Sequence, residues 1–184
     1  MNPTEAQMLQ FYAILDTLID ETTAPLPTNS ITGDFIAAML PYYRAAIDIA
    51  ATLPEHSSHQ PSRDIALDII SRQTRLIEAL QQLPPECAAQ PNTRTQSEQF
   101  RRTFLSELQT TVQELADVPF SRRTECNFIR QMLIYQRGAT RLAQTALQRA
   151  ICQQLTGILL AAAVDQQSTI RQLQTLSSVL KCAE

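Results

Sequence analysis

The chain writes one stretch twice. FIAAMLPYYRAAIDIAAT at residues 35–52 returns 93 residues later as FIRQMLIYQRGATRLAQT at 128–145, with no gap. Phe35, Ile36, Met39, Leu40, Tyr42, Arg44, Ala46, Ala50 and Thr52 recur as Phe128, Ile129, Met132, Leu133, Tyr135, Arg137, Ala139, Ala143 and Thr145. Chance would supply about one such identity over this length. The same offset carries Ile65, Leu67, Gln73 and Ile77 onto Ile158, Leu160, Gln166 and Ile170, and Phe11 and Leu15 onto Phe104 and Leu108. The expectation is a unit of about 93 residues, duplicated, its copies covering each other's apolar faces across a pseudo-two-fold axis. Two copies are too few for an open solenoid, so a closed bundle follows.

A chain of 184 residues is long enough to bury a sizeable core in one domain, residues 1–184. The boundaries expected within it are a first repeat at 3–83, a linker at 84–97 and a second repeat at 98–180. With only three glycines and few β-branched runs, the composition predicts an all-α protein.

The apolar stripes agree. Phe35, Met39, Tyr42, Ala46, Ile49 and Leu53 share one face of a helix, and Ile65, Ile69, Gln73, Leu76 and Leu80 share one face of the next. Leu155, Leu159, Ala162, Gln166 and Leu173 form the corresponding stripe of the last helix, expected at about 152–180. Six helices are expected, four in the core and two upstream additions at about 3–21 and 98–116. Asp34 and Asn127 stand where N-caps of the central helices would be. Pro41 predicts a kink, and residues 54–62 and 117–120 read as turns. Tyr42, Gln73, Tyr135 and Gln166 lie on inward stripes and form an expected polar core, since buried polar groups find partners.

The net charge of −3 and pI near 5.4 argue against a nucleic-acid binder. The longest apolar run, 158–164, falls far short of the roughly twenty residues of a membrane span. The start MNPTEAQ has no signal-peptide pattern, which reads as cytoplasmic, or as the mature form of an exported protein. Cys87, Cys126, Cys152 and Cys182 are scattered without a C-x-x-C pair. Free thiols are the first expectation, with one or two disulfides the alternative in an oxidising compartment. His56 and His59 make a loop H-x-x-H with no acidic or Cys neighbours, read as solvated rather than metal-binding.

The pattern F-x-x-x-M-x-x-Y-Y-x-x-A-x-x-x-A, followed by Q-x-x-x-I, resembles a bacterial family, the domain of unknown function 305. The resemblance covers about 34–83 and 127–176. It implies a ferritin-like bundle of two helical hairpins, in a family whose members are commonly exported and in part linked to copper binding or tolerance. The family's usual Met-x-x-His-His is here Met39 with Tyr42-Tyr43, and Met132 with Tyr135-Gln136. Tyr and Gln are weak donors for copper or zinc.

No Ser-His-Asp set, P-loop or helical Glu-x-x-His pattern accompanies the repeat, so an enzyme is not expected. The reading that asks least of the residues is a non-catalytic helical module that binds a protein partner or a small apolar ligand, or forms a homodimer, without a cofactor. The alternative is a copper-handling accessory, with Met39, Met132, His56 and His59 as candidate ligands and Met8 a further thioether.

Overall fold

The computed structural model describes residues 3–182, and among them there are seven helices and no strand. They are α1 (Pro3–Thr23), α2 (Ile31–His56), α3 (Gln60–Gln81), α4 (Pro85–Ala88), α5 (Arg94–Ala116), α6 (Thr124–Leu147) and α7 (Gln153–Leu180). The chain is an all-α helical bundle. The hairpins α2–α3 and α6–α7 pack against each other through α2 with α6 and α3 with α7, making a four-helix core; α1 lies on α2, and α5 on α6.

The inward faces follow the 3.6-residue period. Phe35, Met39, Tyr42 and Leu53 are fully buried, as are Ile129, Met132, Leu155 and Leu159. One apolar cluster runs through all of these helices, taking Phe11, Leu15 and Leu18 from α1 and Phe100, Phe104 and Leu108 from α5. Burying each of the larger side chains stabilises the fold by about 1.5–3 kcal/mol before chain entropy is counted.

The helix ends depart from the sequence reading. Neither Asp34 nor Asn127 is an N-cap. Ser30 caps α2, its hydroxyl accepting from the Gly33 amide at 3.2 Å. Asp34 sits in the first turn of the helix and accepts instead from the Thr28 amide at 2.9 Å. Asn127 does the same one hairpin later, accepting from the Ser121 amide at 2.8 Å. Both side chains therefore tie the incoming loop to the helix. Gly33 lets the end of α4 come close: a Cβ there would lie 2.6 Å from the Ala88 carbonyl oxygen.

Helix α2 continues through Pro41 and Pro54, so the turn expected at 54–62 shrinks to residues 57–59. Buried Leu53 holds this last turn, and its carbonyl accepts from the Ser57 amide at 2.9 Å. The stretch 84–97 is not a plain linker. It contains α4, started by prolines that already have helical φ, and the first turn of α5, closed by a Thr93–Gln96 capping box.

The cysteines are not free thiols. Cys87 bonds to Cys152 and Cys126 to Cys182, each with Cα atoms 5.4 Å apart. The first joins α4 to the N-terminus of α7; the second joins the start of α6 to the end of α7. Sequence spacing could not reveal this, because partners 65 and 56 residues apart meet only through the antiparallel packing.

Candidate functional site

At the centre of the core, where α2 crosses α6, Tyr42 and Tyr135 exchange hydrogen bonds. The Tyr42 hydroxyl donates to the Tyr135 carbonyl at 2.8 Å, and the Tyr135 hydroxyl donates to the Tyr42 carbonyl at 2.7 Å. Their ring centroids are 4.3 Å apart, and Tyr43 meets the edge of Tyr42 at 6.2 Å. Burial, reinforced by the neighbouring phenols, pushes the Tyr42 and Tyr135 hydroxyls well above the usual phenol range, and burial alone pushes up that of Tyr43. The Tyr43 hydroxyl has no hydrogen-bond partner.

Beside this crossing, between α3 and α7, lies a cavity of about 190 Å³ with part of its wall supplied by α6. Leu76 and Ala79 of α3 and Ile158, Ala161 and Ala162 of α7 form its apolar lining. Thr169 and three glutamines break that lining, Gln73, Gln136 and Gln166 being at 5%, 1% and 3% exposure. Gln166 Oε1 lies 3.1 Å from the Thr140 hydroxyl. Gln73 Oε1, Gln136 Oε1 and Gln166 Nε2 have no partner within the protein. These three atoms are closed off from solvent, and an unpaired buried amide group costs about 1–3 kcal/mol. At the mouth, Arg72 bridges the two helices, bonding Asp68 at 2.6 Å and Asp165 at 2.7 Å.

Of the four residues expected in a polar core, the structure thus brings Tyr42 and Tyr135 together, and places Gln73 and Gln166 apart from them on the cavity. The glutamines are not saturated by partners as a closed polar core would require. Gln136 joins them. Its sequence signal is its place at the register position of Tyr43, next to the inward stripe, where the family pattern marks it as a replaced histidine.

The candidate metal ligands sit in two kinds of surroundings, the methionines in apolar packing and the histidines beside polar side chains. Met39 and Met132 are fully buried in the apolar cluster, and Met8 is half-buried on α1. His56 Nε2 is 2.8 Å from Gln10 Oε1, and His59 Nδ1 is 2.7 Å from Ser62 Oγ. Among the described residues no three His, Cys, Asp or Glu side chains are placed to hold a metal ion. The donors where the related pattern carries histidine are phenols held neutral by burial and one amide, a set that does not fit copper. No helix among the described residues is long and apolar enough to cross a membrane.

A crystal structure of a DUF305 fragment from Deinococcus radiodurans shares this fold with a TM-score of 0.58, covering 83% of this chain and 97% of that one at 23% identity. No curated protein matches the chain. The model of the family described as "domain of unknown function (DUF305)" matches residues 33–177, a span holding both core hairpins, the tyrosine crossing and the glutamine-lined cavity. The chain belongs to the DUF305 family.

Proposed function

We propose that this protein is a non-catalytic binding module whose ligand is a small molecule held between α3 and α7. The observation that carries the reading is the cavity itself, whose apolar surface from Leu76, Ala79, Ile158, Ala161 and Ala162 is interrupted by Gln73, Gln136, Gln166 and Thr169 and ringed by Arg72, Arg75 and Asp165. Apolar lining with a few convergent polar groups is the usual make-up of a ligand pocket. At about 190 Å³ it is small, somewhat larger than the roughly 150 Å³ void that takes up benzene. Nothing in it resembles a nucleophile paired with a base: the titratable groups at its rim are two arginines and one aspartate.

The same proposal includes a ferritin-like architecture descended from a tandem duplication. Residues 93 apart make the reciprocal Tyr42–Tyr135 bonds and the Arg72–Asp165 pair, which supports a two-fold axis through the crossing. Two buried disulfides support residence in an oxidising compartment.

The test is a fragment titration read by thermal stability and amide NMR, on wild type and on Ala162→Leu, which fills the cavity. A ligand at 100 times its Kd raises stability by about 2.7 kcal/mol. Stabilisation by a fragment, lost in Ala162→Leu, is the expected result. Tight, stoichiometric Cu(I) uptake in competition with a chromogenic chelator, lost in Met39→Leu or Met132→Leu, would replace this reading with a copper-handling one.

A further inference from the structure

We infer that the groove bounded by α5, α6 and the end of α7 binds a small zwitterion with an apolar body, the chemistry of an apolar α-amino acid. This groove shares no lining residue with the α3–α7 cavity and stands independently of the reading given to that cavity.

Two charges in the groove lack a partner of opposite sign. Arg137 of α6 is exposed and makes no hydrogen bond or ion pair among the described residues. The Asp117 carboxylate, at the C-cap of α5, accepts from Gln113 Nε2 at 3.0 Å and meets no cation among the described residues. A carboxylate at a helix C-terminus opposes the partial negative charge of the last carbonyls, so α5 gains nothing from having one there. The remaining charges are already engaged. Glu114 takes Arg141 at 2.7 Å, and Arg130 donates to the Pro119 carbonyl at 3.4 Å.

A ligand that answers both open charges carries an anion and a cation together. Its carboxylate goes to Arg137 and its ammonium to Asp117. Leu133 and Ile134, half-buried on α6, give its apolar body a surface, and Gln174 and Ser177 of α7 add neutral hydrogen-bonding groups. At about 510 Å³ the groove lies within the roughly 300–1,000 Å³ of small-molecule sites.

The first half of the chain shows that the fold does not require this arrangement. Counted 93 residues back, Arg137 becomes Arg44, but Asp117 becomes Ala24. Helix α3 stops at Gln81, the counterpart of Gln174, whereas α7 runs on to Leu180 and so brings up Ser177. That added stretch is held in place: Arg123 donates to the Leu180 carbonyl at 2.6 Å, and Cys182 is bonded to Cys126. The second half thus sets both charges against a fixed wall, which lowers the ordering cost of binding.

L-phenylalanine, 2-phenylethylamine and 3-phenylpropanoate share one apolar body and differ in charge. Each is titrated into the intact oxidised protein at low salt and followed by amide NMR. L-phenylalanine is expected to move the signals of Asp117, Arg137, Gln174 and Ser177. It should bind about fivefold tighter than either analogue, the upper size of one exposed ion pair. Arg137→Gln should weaken L-phenylalanine and 3-phenylpropanoate by about fivefold and leave 2-phenylethylamine unchanged. Asp117→Asn should weaken L-phenylalanine and 2-phenylethylamine and leave 3-phenylpropanoate unchanged. Both positions are exposed, and circular dichroism checks that each variant keeps its helices. Should a variant unfold, the wild-type signal map and the three-probe ranking decide alone. Either analogue matching L-phenylalanine, or losses that ignore this charge pattern, would overturn the zwitterion assignment. Binding that moves only the signals of Gln73, Ala162 and Gln166 would overturn this site and support the α3–α7 reading. No binding by any of the three probes would overturn this site and leave that reading standing.

Discussion

Raising the pH should unfold this protein cooperatively, and the three buried tyrosines set how steeply. Tyr42, Tyr43 and Tyr135 are each 1% exposed or less, and each hydroxyl is pushed above its ordinary value of 10.0 by burial. In the unfolded chain the same phenols titrate near 10. Above that pH the unfolded state loses three protons that the native state retains, so stability falls as pH rises. The slope is about 1.36 kcal/mol per pH unit for each group, hence about 4 kcal/mol for three. By about pH 11.5 the loss reaches about 6 kcal/mol, comparable to the 5–15 kcal/mol of a typical domain. The background is unusually quiet, because the four cysteines are paired and the sequence has a single lysine, Lys181. In a Tyr12→Phe background, which leaves only the three buried phenols, tyrosinate absorbance and helical circular dichroism should change in one transition. Tyr43→Phe, which removes only an unpartnered hydroxyl, should cut the slope by about a third. Ionisation of these tyrosines with the helices intact would refute the burial argument.

Three further outcomes follow from the packing. Gly138→Ala should destabilise by about 1–3 kcal/mol despite the better helix propensity of Ala, because its Cβ would meet Thr111 Cγ2 at 2.3 Å and the Tyr42 hydroxyl at 2.7 Å; a rise in urea midpoint would contradict this. Replacing either cysteine pair by alanine should cost about 4 kcal/mol by loop entropy, with separations of 65 and 56 residues, measured by denaturation of each double variant. Asp48→Asn should raise the thermal midpoint at pH 7, since burial and then Glu21 raise the Asp48 carboxyl, so its charged form weighs against the fold. That gain should vanish as the pH falls below the carboxylate range and Asp48 protonates in both states; a gain independent of pH would point to another cause.

The parts of this fold legible in the sequence are those with a period. Phe35, Met39, Tyr42, Ala46, Ile49 and Leu53 declare a face, and every one of them is buried. The parts that were not legible depend on partners distant in sequence. The run ITGD looks like loop because of Gly33, yet Ser30 supplies the cap and Asp34 turns back to Thr28. Gln7, an unremarkable polar residue on α1, is buried and bonds Asn127 and the Thr124 carbonyl, 117 and more residues away. The cavity is not legible for the same reason: Gln73, Gln136 and Gln166 come from three helices, and nothing local shows that they meet around one space. A polar residue on an inward stripe signals burial but not whether its partner is protein or something else.

The two disulfides make α7 a beam clamped at both ends. Cys152 fixes its start to the segment after α3, and Cys182 fixes the chain beyond its end to the start of α6. Since α7 forms one wall of the glutamine-lined cavity, that wall cannot swing out as a rigid arm to admit a guest. On the proposed binding reading, exchange through the mouth would proceed by rotation of side chains such as Arg72 and Asp165, motions of picoseconds to nanoseconds, rather than by slow helix displacement. Cutting one clamp turns the beam into a lever, so guest residence time should shorten on reduction while the resting shape of the cavity stays the same.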